Sequence, residues 1–376
     1  MNLRDYQIPA VKVISQTRRG IIKSPAGSGK TIIAAAALNE WAGRRYGTVA
    51  NTPWRIAWVA NTVEQVEQGR KAIDDMLIWG NLEIQFFCYA GCPSLCGFHL
   101  VIFDECHHIA APEFRKCVNY HDGERWGFSA TPDRADELKE DVYKLIGPIV
   151  HTVERAPLVE AGQITEARVI IHDTNDKGEF EREVESMADV AIAARKRKWP
   201  FLFRSPKMAK EQEKRIIWQL ALSHGVENNR TRNERVIALA GHHRTDSTLI
   251  LVGKIEHGEF ISKQIPFSMV VHSKLPAKSR REAISAFQNG ELRCMIATSL
   301  ADEGLDVPRA NVLIQVSAGR SAAKAEQRTG RVLRAFHDKS HGIIHDFSDL
   351  GHYFLAAQSR RRIAVYKSLG YSIALA

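Results

Sequence analysis

Apolar and polar positions change period several times along the first half of the chain. Residues 8–17 carry apolar side chains at helical spacing, 20–23 read as a strand, and 31–41 as an alanine-rich helix. Short apolar runs follow at 56–60, 84–89, 99–103 and 126–129, each bounded by polar or turn residues. A strand covered on both faces needs no polar alternation, so such runs between helices predict a buried parallel sheet. The second half repeats the theme at 248–252, 268–272, 295–298, 312–316 and 342–347. Between the halves, 149–164 lacks a strong period and contains Pro157 and Gly162, which predicts a linker. The expected architecture is α/β, with two tandem domains, 1–155 and 156–376, each a parallel sheet flanked by helices. No low-complexity segment or solenoid-type repeat interrupts the pattern.

Directly after the 20–23 strand stands Ser24-Pro25-Ala26-Gly27-Ser28-Gly29-Lys30-Thr31, and a helix opens on it. This is the spacing of a phosphate-binding P-loop, with Ser24 in place of the usual first glycine. Gly27 and Gly29 let the backbone turn around Ser28, so that N–H groups converge on phosphate oxygens at a helix N-terminus. Lys30 supplies a point charge for the β- and γ-phosphates, and Thr31 a hydroxyl for Mg²⁺. Such a loop needs a carboxylate for the metal at the C-terminal end of a neighbouring strand. The apolar run 100–103 delivers Asp104 as that ligand, and Glu105 to orient or deprotonate an attacking water. The reaction class these residues predict is nucleoside triphosphate hydrolysis.

Further segments stand in a fixed order around these two. They are Leu3-Arg4-Asp5-Tyr6-Gln7, Ala60-Asn61-Thr62 with Gln65, Asp104-Glu105-Cys106-His107 and Ser129-Ala130-Thr131. The second half continues with 249–252 and Ile255-Glu256, Val271-His272-Ser273-Lys274, and Ala297-Thr298 through Asp302-Glu303-Gly304-Leu305-Asp306. It ends with Gln327-Arg328-Thr329-Gly330-Arg331-Val332-Leu333-Arg334. In this order the segments resemble the motifs of superfamily 2 helicases and translocases, with a DECH-type second motif. The resemblance implies two tandem RecA-like domains, with ATP and Mg²⁺ bound at the P-loop. It implies that Gln7, with Arg4 or Tyr6 nearby, reads the adenine. His107, Ser129, Thr131, Arg328, Gly304 and Asp306 would couple hydrolysis to movement, and Thr62, Gln65, His272, Ser273 and Thr298 would touch nucleic acid. By the same resemblance, Arg331 and Arg334 are arginine fingers and Gln327 faces the nucleotide; a loose transition state calls for such planar, permanently charged donors.

The opening Leu-Arg-x-Tyr-Gln, the run Gly127 to Pro132 with Arg134, and Gln-Arg-x-Gly-Arg-x-Leu-Arg look most like the Rad25/XPB and phage UvsW-like branch. Asp-Glu-Cys-His also occurs in RIG-I-like duplex-RNA translocases, while the last motif departs from the DEAD-box pattern. The stretch between the Thr62 and Asp104 motifs is short, and Phe87-Cys88-Tyr89-Ala90 offers no threonine for a further strand contact.

Composition narrows the class. The 376 residues are 44% hydrophobic and 25% charged, which excludes collagen-like, disordered and disulfide-scaffold chains. No apolar stretch suits a bilayer span and residues 1–7 lack a signal-peptide core. An intracellular protein, cytoplasmic or nucleoid-associated and without membrane partners, is expected. Six cysteines in such a chain predict free thiols, and Cys88, Cys92, Cys96 and His99 lack the spacing of a metal knuckle.

The net charge of +9 is unevenly placed. Residues 1–150 hold 17 basic and 17 acidic side chains, whereas 190–235 hold 12 and 4, including Arg195-Lys196-Arg197-Lys198. A basic helical segment at about 190–235 is therefore expected at the head of the second domain, suited to phosphates. His242-His243 reads as loop surface and Arg360-Arg361-Arg362 as a solvated helix face. Most tryptophans are expected to pack, with Trp199 beside the basic run a candidate for stacking on a base.

These readings converge on an ATP-dependent helicase or translocase acting on nucleic acid, DNA in preference to RNA, as a monomer with protein partners for targeting. Two alternatives remain open at this level. One is a duplex translocase that does not separate strands, on DNA or RNA; the other is an ATP-gated motor or clamp subunit of a larger nuclease or repair complex.

Overall fold

The computed structural model describes residues 3–46, 52–118, 121–130, 132, 139–174, 179–298, 307–317, 329–330, 339 and 341–376. The chain divides into two compact units, Met1–Ile164 and Thr165–Ala376. In the first, α1 (Gln7–Ser15), β1 (Arg19–Lys23), α2 (Lys30–Arg45), β2 (Trp54–Ala60), α3 (Val63–Met76) and β3 (Leu82–Cys88) alternate. They are followed by β4 (Leu100–Asp104), α4 (Pro112–Arg115), β5 (Glu124–Ser129), α5 (Lys139–Leu145), β6 (Ile149–Thr152) and α6 (Arg155–Glu160). The strands form one parallel sheet in the order β3-β2-β4-β5-β1-β6.

The continuous apolar runs are explained by two cores, one on each face. Along β4, Leu100 and Ile102 join Ala10, Ile33 and Trp41 from the helices of one face, while Val101 and Phe103 join Val142 and Ile146 on the other. Successive side chains point to opposite faces, so both sets must be apolar when both faces are covered. Fully burying one such side chain contributes about 1.5–3 kcal/mol.

The second unit holds β7 (Glu166–Asp173), α7 (Glu179–Lys198), α8 (Pro206–Leu222), α9 (Arg230–His242), β8 (Thr248–Leu251), α10 (Ile255–Ser262) and β9 (Ser268–Val271). After them come α11 (Ala277–Asn289), β10 (Cys294–Ala297), β11 (Val312–Gln315), β12 (His341–Ser348), α12 (Tyr353–Ser368) and β13 (Ser372–Leu375). This sheet too is parallel, in the order β13-β7-β12-β11-β8-β10-β9. Again the strands feed two cores: Leu249 and Leu251 on one face, Ile250 and Val252 on the other. No helix among the described residues is long and apolar enough to cross a membrane.

The linker expected at 149–164 is instead structured. Residues Ile149–Thr152 form β6, which pairs with β1, and Leu158 and Ile164 are buried in the first core. Pro157 lies within the first turn of α6, where no backbone N–H is needed, and Gly162 takes φ +64 just beyond its end. Both residues punctuate a helix here, and the unit boundary falls at Ile164, nine residues past the expected 155. Strands β7 and β13, which the apolar runs did not reveal, complete one side of the second sheet.

Two surface expectations are also corrected in this unit. His243 is buried, because it closes a chain of imidazoles through the core. His172 Nε2 lies 2.9 Å from His345 Nδ1, His345 Nε2 lies 3.0 Å from His243 Nε2, and His243 Nδ1 lies 2.8 Å from Asp246 Oδ2. His243 Nδ1–H donates to the Asp246 carboxylate, and this sets the donor direction along the whole chain. Arg362 is buried as well, its Nε 2.8 Å from Asp346 Oδ2, whereas Arg360 and Arg361 stay exposed. A step of about 100° per helical residue turns the third arginine of the run inward.

Burial, with His172 and His243 beside it, lowers His345 to about 3. Burial, with Arg232 and Lys254, lowers His257 to about 4. Below pH 6.5 the unfolded chain therefore binds protons that the folded unit refuses, so the contribution of these two histidines is level above about pH 7.5 and falls as the pH drops through 6.5. At pH 5 each histidine is expected to cost about 2 kcal/mol, read as a lower urea midpoint. His257→Gln should flatten the pH slope by up to about one proton; an unchanged slope would contradict this account.

Candidate nucleotide site

Strands β4, β5 and β1 are neighbours, and their C-terminal ends carry Asp104, Ser129 and the loop that begins at Ser24. Ser24 N–H donates to Ser129 O at 3.0 Å, so the loop leaves the sheet tied to β5. Gly27 and Gly29 adopt φ +84 and +78, the left-handed conformation that an L side chain resists. Inside the turn, Ser28 Oγ donates to Pro25 O at 2.7 Å, and Ser24 Oγ lies 2.5 Å from Ser28 Oγ. Lys30, almost fully buried, reaches Ser24 O at 3.5 Å and Glu105 Oε1 at 3.3 Å. The Thr31 hydroxyl hydrogen-bonds the Asp104 carboxylate.

Two adjacent carboxylates thus share one ammonium in a dry site. Burial, and then the charge of Glu105, push Asp104 up to about 7, against Lys30 and the hydrogen bonds from Glu105 N and Thr31. Burial also disfavours the Glu105 charge, but Lys30 foremost, with His107 and His108, outweighs it and holds Glu105 below the ordinary carboxylate range. A hydroxyl and a carboxylate side by side are oxygen donors suited to Mg²⁺, and a divalent charge there would oppose the push on Asp104. The residues fit that ion.

Glu105 stands at φ +46, unusual for a residue that carries a Cβ, and its carboxylate meets His107 Nδ1 at 3.5 Å. His107 Nδ1 lies 2.9 Å from Ser129 Oγ, itself 3.5 Å from Glu105 Oε2. The structure therefore brings Lys30, Thr31, Asp104, Glu105, His107 and Ser129 into one network. Cys106 packs instead of reacting, since a Cβ on Gly127 would meet its Sγ at 2.9 Å.

The N-terminal segment reaches the same loop. Gln7 Nε2 and Tyr6 OH both donate to Ser28 O, at 3.1 and 2.7 Å, and Arg4 Nη1 lies 3.4 Å from Tyr6 OH. Sequence reasoning assigned Tyr6 no definite part, and missed Tyr89, whose OH donates to Asp104 O at 3.1 Å. A tyrosine just past the end of an apolar strand, inside a buried sheet, is the signal for such an anchor.

Thr62 and Gln65 cap α3. Gln65 N donates to Thr62 Oγ1 at 3.3 Å, and Thr62 N donates to Gln65 Oε1 at 3.2 Å. In the second unit, Val271 and Ala297 are paired across β9 and β10, so the neighbouring His272, Ser273 and Thr298 leave the same end of that sheet. Thr131, Gly304, Asp306, Gln327, Arg328, Arg331 and Arg334 lie outside the described residues. The described residues hold no group of His, Cys, Asp or Glu arranged as a metal cluster, and Cys92 hydrogen-bonds Cys117.

Residues 231–336 match the family described as "Helicase conserved C-terminal domain", and residues 1–84 and 94–134 match "Type III restriction enzyme, res subunit". The Rad25 sequence of Halobacterium salinarum is 26% identical over 352 residues, covering 89% of this chain and 52% of that one. The "DNA 3'-5' translocase XPB2" of Sulfurisphaera tokodaii is 26% identical over 360 residues, covering 89% of this chain and 79% of its own. Among solved structures, "ATP-dependent Type ISP restriction-modification enzyme LlaBIII bound to DNA" superposes with a TM-score of 0.68 at 14% identity, over 100% of this chain and 31% of that one. The chain thus spans about half the length of the first of these relatives.

Gly29 is the tightest point of the loop: a Cβ there would lie 2.7 Å from Gln7 Nε2 at a strained φ. Gly29→Ala is expected to destabilise the first unit by about 1–2 kcal/mol from backbone strain alone. Urea unfolding reads that change, and binding of a fluorescent ATP analogue should weaken with it. Unchanged stability and binding would show that the loop is not held as described.

Proposed function

The chain belongs to the superfamily 2 helicases and translocases, most like their Rad25 and XPB members, and from that membership we propose that it is an ATP-driven motor on nucleic acid. The observation that carries the reading is the single buried network from Lys30 and Thr31 through Asp104 and Glu105 to His107 and Ser129. DNA is the substrate this reading prefers to RNA, with the protein intracellular, monomeric and targeted by protein partners.

In this reading the loop N–H groups and Lys30 hold the β- and γ-phosphates, and Gln7 with Tyr6 sets the loop beside the base. Mg²⁺, when bound, would neutralise developing charge on the phosphates, with Thr31 and Asp104 as its holders. Glu105, kept ionised beside Lys30, orients or accepts a proton from the attacking water. Its carboxylate is linked through His107 to Ser129, at the end of β5, so the state of the reacting water is felt at the Ser129-Ala130-Thr131 segment. Arg331 and Arg334 supply transition-state charge, Gln327 faces the nucleotide, and Arg328, Gly304 and Asp306 pass the change to the strand. Thr62, Gln65, His272, Ser273 and Thr298 hold phosphates, independent of base sequence.

Hydrolysis is expected to be slow alone and faster with nucleic acid, measured across single-stranded, duplex, forked and four-way DNA and duplex RNA. Lys30→Ala should lose at least about a hundredfold in rate while nucleic-acid binding changes little. Retained hydrolysis in that variant would remove the site. Arg331→Ala should lose on the order of 10³ of the stimulated rate; an unchanged rate would end its role as a finger.

A further inference from the structure

The basic stretch 190–235 forms a built cavity of about 760 Å³ in the second unit. The last turns of α7 supply Arg195 and Lys198, followed by Trp199; α8 supplies Ile216 and Leu220; Lys254 comes from the residue before α10. The floor is apolar and the rim is cationic. The rim's acid, Glu227, is already paired with Lys254 at 2.7 Å. Trp199 is 45% exposed, large for an indole with no role in a core, and the Lys198 ammonium stands 5.8 Å from its ring centroid. Arg195 Nε is buried and has no hydrogen-bond partner.

One wall is made by irregular backbone. Between α8 and α9, Ser223–Glu227 is a single π turn, in which Asn228 N–H donates to Ser223 O at 2.8 Å across five residues. Such turns are rare and concentrate at functional sites, because they displace side chains from the regular helical positions. Here the displaced residues Ser223 and Glu227 line this cavity and a second one of about 970 Å³ beside α10, where Phe260 is half-exposed.

A flat aromatic wall, an apolar floor and, beyond the Lys254–Glu227 pair, two cations at the mouth match one ligand chemistry: a planar heteroaromatic base carrying a phosphate. A volume of this order suits a nucleotide and exceeds what one apolar side chain needs. We propose that this cavity receives an unstacked nucleotide of the bound strand, the base lying on Trp199 and its phosphates facing Arg195 and Lys198. The inference rests on the motor reading above, because it takes the occupant to be a nucleic-acid strand. It adds a stacking contact outside every motif, on the segment that carries a net +8. Stacking is indifferent to base identity, so the site lets the second unit tell single-stranded or distorted nucleic acid from a continuous duplex without reading sequence.

The test compares the wild-type chain with Trp199→Ala, Trp199→Phe and Ala194→Leu, the last filling the cavity from the α7 side. Anisotropy of a labelled oligothymidylate is read at two salt concentrations, with melting curves as the folding control. Trp199→Ala and Ala194→Leu should weaken binding about tenfold with an unchanged salt slope, Trp199→Phe should stay within about threefold, and blunt duplex binding should move less. Lys198→Ala should reduce the salt slope by about one. A 4-thiothymidine oligonucleotide should crosslink on irradiation to the wild-type peptide containing Trp199. Wild-type oligothymidylate affinity in folded Trp199→Ala, no crosslink at that peptide, or capture of free dTMP or an acidic peptide in place of the oligonucleotide would each overturn the site. A wild-type ATPase that no nucleic acid stimulates would instead defeat the motor reading itself.

Discussion

Two buried carboxylates beside one buried ammonium set the terms for the first unit. Asp104 and Glu105 are consecutive, both are withdrawn from water, and Lys30 meets the second at 3.3 Å. Leaving either charge unpaired at such a place would cost several kcal/mol, so the surroundings must be arranged to hold both. Much of the sheet can be understood from that need. β5 lies between β4 and β1, which places Ser129 within reach of His107 and ties Ser24 to the end of the same strand. Tyr89 pins the Asp104 carbonyl from the neighbouring loop, and Glu105 is held in a left-handed conformation that an isolated glutamate would leave.

The second unit solves a different problem. Its core contains a carboxylate-terminated file of three imidazoles, and Asp346, Arg362 and Tyr366 form a further buried group, with Tyr366 OH 2.8 Å from Asp346 Oδ2. Such networks specify one arrangement of the strands they join, here β7, β12 and the helices beside them, although His172 Nδ1 at the end of the file is buried without a hydrogen-bond partner. The helical layer of α7, α8 and α9 stands apart from this economy. Its small apolar core of Phe180, Val184, Ala221, Val226 and Leu355 holds the helices, while its basic residues stay mostly in solvent. That division leaves the layer's charge available to a polyanion.

How much was legible follows from what each signal depends on. The P-loop, the Asp104-Glu105 pair and most strands are local patterns: glycine spacing, or an apolar run that remains apolar wherever it packs. The linker was misread because Pro157 and Gly162 mean a break in isolation and mean the two ends of a helix once α6 has something to pack on. Strand β13 is only four residues long and lies at the edge of its sheet, so its apolar run is too short to mark a strand by itself. Arg362 and His243 carried the wrong expectation for a related reason. A charged or titratable residue is normally solvated, and only a partner from a distant segment, Asp346 or His345, makes its burial affordable.

Sequence alone pointed to nucleoside triphosphate chemistry, to the helicase resemblance and to the two-domain α/β plan, because those rest on residues whose types and spacing are dictated by phosphate, metal and sheet chemistry. Tertiary structure decided which neutral or charged state each of those residues is held in, since Asp104 and Glu105 are adjacent and alike in sequence yet pushed in opposite directions by burial and by Lys30. It also decided what the excess of positive charge belongs to. In the sequence it is a run of lysines and arginines. In the fold, part of it becomes the rim of a cavity, because α7, α8 and the π turn bring Trp199 and Lys254, fifty-five residues apart in number, to the same opening.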